Sequence, residues 1–435
     1  MIPSKHNPGR IGGPALAANP PLKSLLLTGL LLLAATPAHG ASLQPGDLVA
    51  ICGDSITEQK RYTVFVEEYL LMCQPVPDVQ VMQMGWNGET ARGFIARMEN
   101  DALAFKPTVV TTCYGMNDSG TDPITQAARD DYRNFTGGIA DKFTAGGVRW
   151  LVIGSPGAVD PASYTKSPVE IRNANLAALR DEAREVAASH HADFANVHDL
   201  MEETMARARA KYGADYKIGG TDGVHPNYSG HLIMAYAFLK AMGMDGEIGV
   251  ITYDLGSGQA TATAGHRVLS AGSGALELES ARYPFCFAPL TGNPGSTRDM
   301  LEFLPFNQDL NRFILKVDHA PAGKLEVTWG DQKKVFNSAD LEKGINLATE
   351  FLDNPFLAQF TKVETAIRKK QEFETLAVKS IQHSLTGWRL NFPEDEADYV
   401  KQTEHLIAKM AELRARTQAE IKPITHKITI RPLPE

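Results

Sequence analysis

The stretch Leu48-Val49-Ala50-Ile51-Cys52-Gly53-Asp54-Ser55-Ile56-Thr57-Glu58 opens with five apolar residues and turns polar at Gly53. A short run without polar alternation fits a strand covered on both faces, as parallel sheets require. Gly53 and Asp54 then mark a turn into a helix. The same alternation continues outward: strands are expected at 48–52, 79–84, 108–114, 149–153 and 193–197, with helices at 62–72, 91–105, 124–143, 169–189, 200–212 and 228–242. Helical crossovers between buried strands give an α/β fold, a flavodoxin-like three-layer sandwich around a five-stranded parallel sheet.

Ser55 has two readings within this stretch. Ser55 and Glu58 have the spacing of a capping box, in which the serine oxygen accepts from the first turn of the helix. Alternatively, the hydroxyl is a nucleophile, which requires a base, an orienting acid and oxyanion donors from elsewhere in the chain. Ligands of such sheets bind beyond the carboxyl ends of the strands. Three polar segments follow strands there: Gly53-Asp54-Ser55, Gly85-Trp86-Asn87-Gly88-Glu89-Thr90 and Gly115-Met116-Asn117-Asp118.

At 435 residues the chain exceeds one comfortable core, so two domains are expected. With 43 Lys and Arg against 51 Asp and Glu, the net charge of −8 supplies no general attraction to nucleic acid or anionic lipid. Lys5, Arg10 and Lys23 precede an apolar run at 25–35, followed by Ala38-His39-Gly40. This order fits a secretory signal peptide over 1–40, so the protein is expected to be exported, periplasmic or extracellular, with no span retained after cleavage. An uncleaved anchor is the competing reading. The 4 cysteines, Cys52, Cys73, Cys113 and Cys286, lack metal-like spacing and establish no disulfide.

The α/β unit is expected to span 41–245. Beyond it, short alternating strands are expected at 261–268, 275–279, 313–317, 324–329 and 333–336, then helices at 341–351, 356–384 and 397–421, and a last strand at 426–431. Residues 246–435 thus read as a β-sandwich-like accessory domain with a helical hairpin at about 354–421 inserted before its final strand. The charged hairpin reads as a solvated face or as a pairing surface for a homo-oligomer.

In Thr221-Asp222-Gly223-Val224-His225-Pro226, a carboxylate precedes a histidine by three residues just before a helix. Asp222 can hold one ring nitrogen of His225 and leave the other facing outward, the arrangement of a general base. Metal ligation together with His231 is the rival, weakened by Pro226 and by the lack of a third ligand cluster. No metal or cofactor is expected.

Taken together, Gly53-Asp54-Ser55, Gly88, Asn117 and Asp222-Gly223-Val224-His225-Pro226 resemble the four blocks of the SGNH, or GDSL-type, hydrolase superfamily, in order, over residues 46–243. The resemblance implies a nucleophile at Ser55, a general base at His225 and an orienting carboxylate at Asp222. It implies an oxyanion hole formed by the backbone N–H groups of Ser55 and Gly88 and the side-chain amide of Asn117. No Gly-x-Ser-x-Gly elbow of the α/β-hydrolase type occurs.

Superfamily members cleave sugar acetates, lipid acyl chains and thioesters, so the fold does not choose a substrate. Export, the β-rich extension and the lack of an evident apolar lid favour a small acyl group on a carbohydrate. Trp86, Arg61 and Tyr62 are candidates for the substrate mouth. The rivals are an exported lipase or thioesterase covered by the long helices, and a non-catalytic carbohydrate-binding protein on the hydrolase scaffold.

Overall fold

The computed structural model describes residues 42–287 and 296–434. The expected signal segment, 1–40, lies outside them. The first sheet is built from β1 (Leu48–Gly53), β2 (Gln80–Gly85), β3 (Val109–Cys113), β4 (Trp150–Gly154) and β5 (Asp193–Ala195). All pairings are parallel, in the order β2-β1-β3-β4-β5. The chain starts in the middle and winds to both edges, which gives the expected flavodoxin-like topology. The order reverses beside β1, so the loop after Gly53 opens at the switch point where such sheets bind ligands.

The connecting helices are α1 (Ser55–Glu58), α2 (Tyr62–Glu68, continued by a π-helical turn to Cys73), α3 (Ala91–Asp101), α4 (Gln126–Ala145), α5 (Val169–Ser189), α6 (Val197–Tyr212) and α7 (Tyr228–Ala241). Two apolar clusters flank the sheet. One carries Val49, Ile51, Val81 and Val109 against α2 and α7; the other carries Ala50, Met82, Val110 and Ile153 against α3, α4 and α5. Successive strand residues therefore face opposite cores, as the unbroken apolar runs required.

Beyond α7 come β6 (Glu247–Asp254), β7 (Ala260–Ala262), β8 (His266–Gly272), β9 (Ala275–Ser280), the short helix α8 (Phe306–Asp309), β10 (Arg312–Asp318), β11 (Lys324–Trp329) and β12 (Gln332–Asn337). They are followed by α9 (Ser338–Lys343), β13 (Ile345–Asn346) and α10 (Leu347–Glu350). Two further sheets result, β13-β10-β6-β7 and β12-β11-β14-β9-β8, in which β14 (Ile424–Pro432) is the returning last strand. Phe313 of one sheet meets Trp329 of the other with ring centroids 5.8 Å apart.

Three local expectations are corrected. The sequence reading omitted β6, whose alternating burial is the normal signature of a strand with one face in the core. The single strand expected over 261–268 is two strands, parted at a turn where Gly265 takes φ +93°. The helix expected over 341–351 breaks at Gly344, φ +102°, into α9, β13 and α10.

The long helices are α11 (Leu357–Leu376), a π-helical turn Ala377–Gln382, α12 (His383–Asn391) and α13 (Glu396–Gln418). They lie along β2, the edge strand of the parallel sheet. Lys370 Nζ donates to the Val81 carbonyl at 2.7 Å, and Gln83 N–H donates to Glu374 at 3.0 Å. From α13, Gln418 donates to the Val79 carbonyl at 2.6 Å. Unpaired backbone groups of an edge strand invite pairing with other chains, and here side chains of the helices satisfy them.

Candidate functional site

The strand-to-helix turn after β1 resolves the ambiguity of Ser55. Asp54, not Ser55, is the N-cap: its Oδ1 accepts from Ile56 N–H at 2.9 Å. Ser55 is thus the first helical residue, with its hydroxyl unused by the cap. The Ser55 Oγ lies 2.9 Å from His225 Nε2. Glu58, the other member of the expected capping box, instead accepts from Asn87 N–H and from Lys379.

The loop before α7 supplies the histidine. Asp222 Oδ1 accepts from the backbone N–H groups of Val224 at 3.0 Å and His225 at 2.9 Å, while Oδ2 lies 2.7 Å from His225 Nδ1. Because Asp222 can only accept, Nδ1 carries the proton and Nε2 presents a lone pair to Ser55. Burial pushes the Asp222 carboxyl up, but the backbone and imidazole donors of His225 and the Val224 N–H outweigh it and hold the group down to about 2. It is a carboxylate across the whole working range of an enzyme.

The second and third loops surround the same turn. Gly85 ends β2 beneath α1: a Cβ there would stand 2.3 Å from Glu58 N and 2.6 Å from the Thr57 carbonyl carbon, so a side chain would displace the helix bearing Ser55. Gly88 holds φ +73°, a left-handed conformation that glycine adopts without strain. Asn117 is exposed and donates one amide hydrogen to the Glu89 carbonyl at 3.0 Å, which leaves its second hydrogen free to donate. Asp118 ties the two loops by accepting from Ala91 N–H and Gly115 N–H, each at 3.0 Å. Among the described residues, the backbone N–H groups of Ser55 and Gly88 have no protein acceptor. The turn thus leaves the Ser55 N–H unspent beside a serine–imidazole–carboxylate chain, which supplies what attack on a carbonyl needs and one donor for the resulting oxyanion. Gly88 and Asn117 stand in the adjoining loops, outside the lining of the cavity over Ser55.

Buried carboxyls underlie these loops. Burial pushes Asp54 up to about 7, with the charges of Asp118 and Glu89 acting in the same direction against the Ile56 N–H. Burial likewise raises Asp118 to about 6 against three backbone N–H groups.

The remaining sequence candidates part company. Arg61 lines the cavity, donates to the Pro226 carbonyl at 2.8 Å and stacks 4.8 Å over the Tyr228 ring. Tyr62, expected at the mouth, is fully buried, its hydroxyl 2.8 Å from Thr57 Oγ1, because it faces α7 and stacks on Phe238. Trp86 is half-buried and does not line the cavity: Arg97 lies 4.3 Å and Lys379 4.9 Å from its ring centre, with His383 edge-on at 4.9 Å. His231 is buried with both nitrogens engaged, Nδ1 by Tyr62 N–H and Nε2 by Gln59, which leaves neither free for a metal. The four cysteines are free and buried.

A cavity of about 730 Å³ opens over Ser55 and His225. Its wall includes Gln59, Lys60, Asn87, Lys217, Asn227 and Tyr228, none of which the sequence reading singled out. Only Lys60 carries a backbone signature, the left-handed φ of +53°, and that is invisible in its residue type. No residue of α11, α12 or α13 lines the cavity.

A family profile described as GDSL-like Lipase/Acylhydrolase family matches residues 51–233. No curated protein matches the sequence. Among solved structures, a gut microbial diltiazem-metabolizing enzyme has TM-score 0.69 at 21% identity, covering 90% of this chain and 98% of its own. That likeness extends the shared fold well beyond the parallel sheet. An acetylxylan esterase from Geobacillus stearothermophilus has TM-score 0.39 at 23% identity, covering 47% of this chain and 97% of its own. An alpha/beta hydrolase enzyme from the metagenome of Lake Arreo, Spain, has TM-score 0.38 at 22% identity, with 46% and 97% covered.

Proposed function

From the premise that residues 51–233 belong to the GDSL-like lipase/acylhydrolase family and that the protein hydrolyses ester bonds, we propose an exported serine esterase that removes O-acetyl groups from a carbohydrate. The observation that carries the mechanism is the hydrogen-bonded run from Ser55 Oγ through His225 to Asp222, at 2.9 Å and 2.7 Å. His225 Nε2 takes the Ser55 proton as Oγ attacks the ester carbonyl. Negative charge gathers on the carbonyl oxygen, where Ser55 N–H, Gly88 N–H and the Asn117 amide donate to it. The intermediate collapses, the sugar hydroxyl leaves with the proton from His225, and the acetyl group stays esterified to Ser55 Oγ. Water, deprotonated by His225, then releases acetate and restores the serine. Throughout, the Asp222 carboxylate stabilises the imidazolium.

The substrate reading is supported by the wall of the cavity. Glu58, Gln59, Lys60, Arg61, Asn87, Lys217 and Asn227 dominate it, with Tyr228 and Pro226 its main apolar surfaces. A long acyl chain gains its binding energy from a continuous apolar surface, roughly 0.8 kcal/mol per CH₂, whereas in this wall the apolar surface is interrupted by hydrogen-bonding and charged side chains. A sugar is instead recognised by hydrogen-bonding side chains and an aromatic face. Export rests on the charge and apolar order of residues 1–40.

The test is acetate release from acetylated glycans together with a chain-length series of chromogenic esters. Activity greatest on acetate and absent in Ser55→Ala is expected. A preference for long acyl chains would overturn the substrate reading, and full turnover by Ser55→Ala would overturn the mechanism.

A further inference from the structure

We infer that Lys379, on the helical hairpin far along the chain, is a positioning residue for the loop that holds Gly88. The inference rests on the proposed esterase mechanism. Lys379 Nζ donates to both oxygens of Glu58, at 3.0 Å and 2.9 Å, and Glu58 in turn accepts the backbone N–H of Asn87. Asn87 precedes Gly88, whose N–H the proposed mechanism assigns to the developing oxyanion. A cation of the hairpin therefore fixes a carboxylate that fixes the oxyanion loop.

The neighbouring contacts support this arrangement. Lys379 also lies 4.9 Å from the ring centre of Trp86, the residue before Asn87. One helical step on, His383 Nδ1 lies 2.7 Å from Asp101 Oδ2 while its ring meets Trp86 edge-on. Arg97 stacks over Trp86 and forms a buried ion pair with Glu89, the residue after Gly88. Residues 379 and 383 share a helix face, and they straddle the end of the π-helical turn Ala377–Gln382. Such turns concentrate at functional sites because they re-aim side chains within a helix.

Glu58 explains why the cation matters. It lines the cavity at the end of the four-residue α1, and its side-chain cation is Lys379. Without Lys379 its charge is drawn to solvent in the cavity, and Asn87 N–H loses a fixed acceptor. Donors aimed at a transition state must be held within about 0.5 Å, and a 1 Å error costs on the order of 10²-fold in rate. The hairpin reaches the chemistry without touching substrate, since none of its residues lines the cavity.

The experiment compares wild type, Lys379→Ala, Lys379→Arg, Glu58→Gln and the double variant on a chromogenic acetate ester. Lys379→Ala is expected to lower kcat by about 10- to 100-fold with KM changed less than about threefold. Lys379→Arg restores most of the rate. In the Glu58→Gln background, Lys379→Ala adds less than about twofold, because both changes break one link. Equal kcat in wild type and Lys379→Ala, or full additivity in the cycle, overturns the inference. Amide hydrogen exchange of the 86–90 segment reads the same link without substrate: faster exchange in Lys379→Ala supports it, unchanged exchange refutes it. An enzyme inert towards the ester refutes the proposed function and leaves the exchange measurement to decide this one.

Discussion

Replacing Asp222 with Asn removes one acceptor oxygen while leaving the shape of the loop almost unchanged. In the native loop Oδ1 holds two backbone N–H groups, at 3.0 Å and 2.9 Å, and Oδ2 holds His225 Nδ1 at 2.7 Å. The amide must choose. With its oxygen kept on the backbone pair, its NH₂ faces Nδ1, which must become an acceptor. The ring proton then moves to Nε2, and His225 donates to Ser55 instead of accepting from it. With the amide turned round, Nδ1 keeps its proton, but the NH₂ opposes two backbone donors. Each unmet donor costs about 1–3 kcal/mol in a partly buried site. The unproductive tautomer is thus favoured by roughly 2–6 kcal/mol, which at about 1.4 kcal/mol per decade predicts a fall in kcat of about 30- to 10⁴-fold. The related exchange in the trypsin-type triad, about 10⁴-fold, lies at the upper end of this range. The partial exposure of the pair, 32% for His225 and 40% for Asp222, moves the expectation towards the lower end. The assay is kcat on a chromogenic acetate ester, alongside thermal unfolding and nitrogen NMR of the imidazole. A kcat within fivefold of wild type, with the proton still on Nδ1, would refute this assignment of roles.

Further expectations follow from the packing. Gly85→Ala places a methyl against the backbone of α1; it should cost about 1–3 kcal/mol of stability and more than tenfold in ester turnover, and a variant as active as wild type would show that the Ser55 turn tolerates movement. Lys370→Met strips the partner from buried Glu67 and Glu374, 2.9 Å and 2.8 Å away, and leaves the Val81 carbonyl unmet; a loss of about 3–5 kcal/mol in thermal or denaturant unfolding is expected, and an unchanged midpoint would contradict it. Asp54 and Asp118, raised by burial to about 7 and about 6, bind protons more tightly folded than unfolded, so their contribution to stability falls as pH climbs from about 4 through 7. Asp222, held at about 2, acts oppositely: its stabilisation is present above about 4 and is lost as pH drops towards 2. Going from pH 5 to pH 8 should therefore lower the melting temperature of wild type more, or raise it less, than that of Asp54→Asn. Buried His231, His266 and His426, held low by burial, act the other way in both proteins; equal shifts would count against the buried carboxyl.

The parallel sheet was legible because its strands are buried on both faces and its helices are periodic; both patterns are properties of composition along the chain. The segments that hold Ser55, Gly88 and Asn117 were legible as polar turns after strands, and Asp222 and His225 as a spaced pair before a helix; the roles expected of Gly88 and Asn117 came from the resemblance to the SGNH superfamily. The lining of the cavity was not. Lys60, Lys217 and Asn227 have ordinary residue types in ordinary loops, and only the path of the chain turns them towards Ser55. Tyr62 failed the other way: proximity to Ser55 in sequence suggested the mouth, but the helix rotates it into the core against Phe238.

The charged hairpin exposes a limit of hydropathy patterning itself. Lys370, Glu374, Arg414 and Gln418 have the polarity of a solvated face, yet Lys370 and Glu374 are 1% exposed. What they meet is not solvent but the open edge of β2, whose carbonyl and N–H groups need partners as water would supply them. A polar helix is thus the complementary surface for an unpaired strand edge, just as an apolar helix is for a sheet face. The consequence runs beyond stability. β2 ends at Gly85, directly before Trp86, so the helices that cover the edge are carried to the start of the 86–90 loop, where Lys379 and His383 reach it. Covering the strand and steadying the loop are two results of one packing, and a change that loosens the hairpin should register in both melting temperature and kcat.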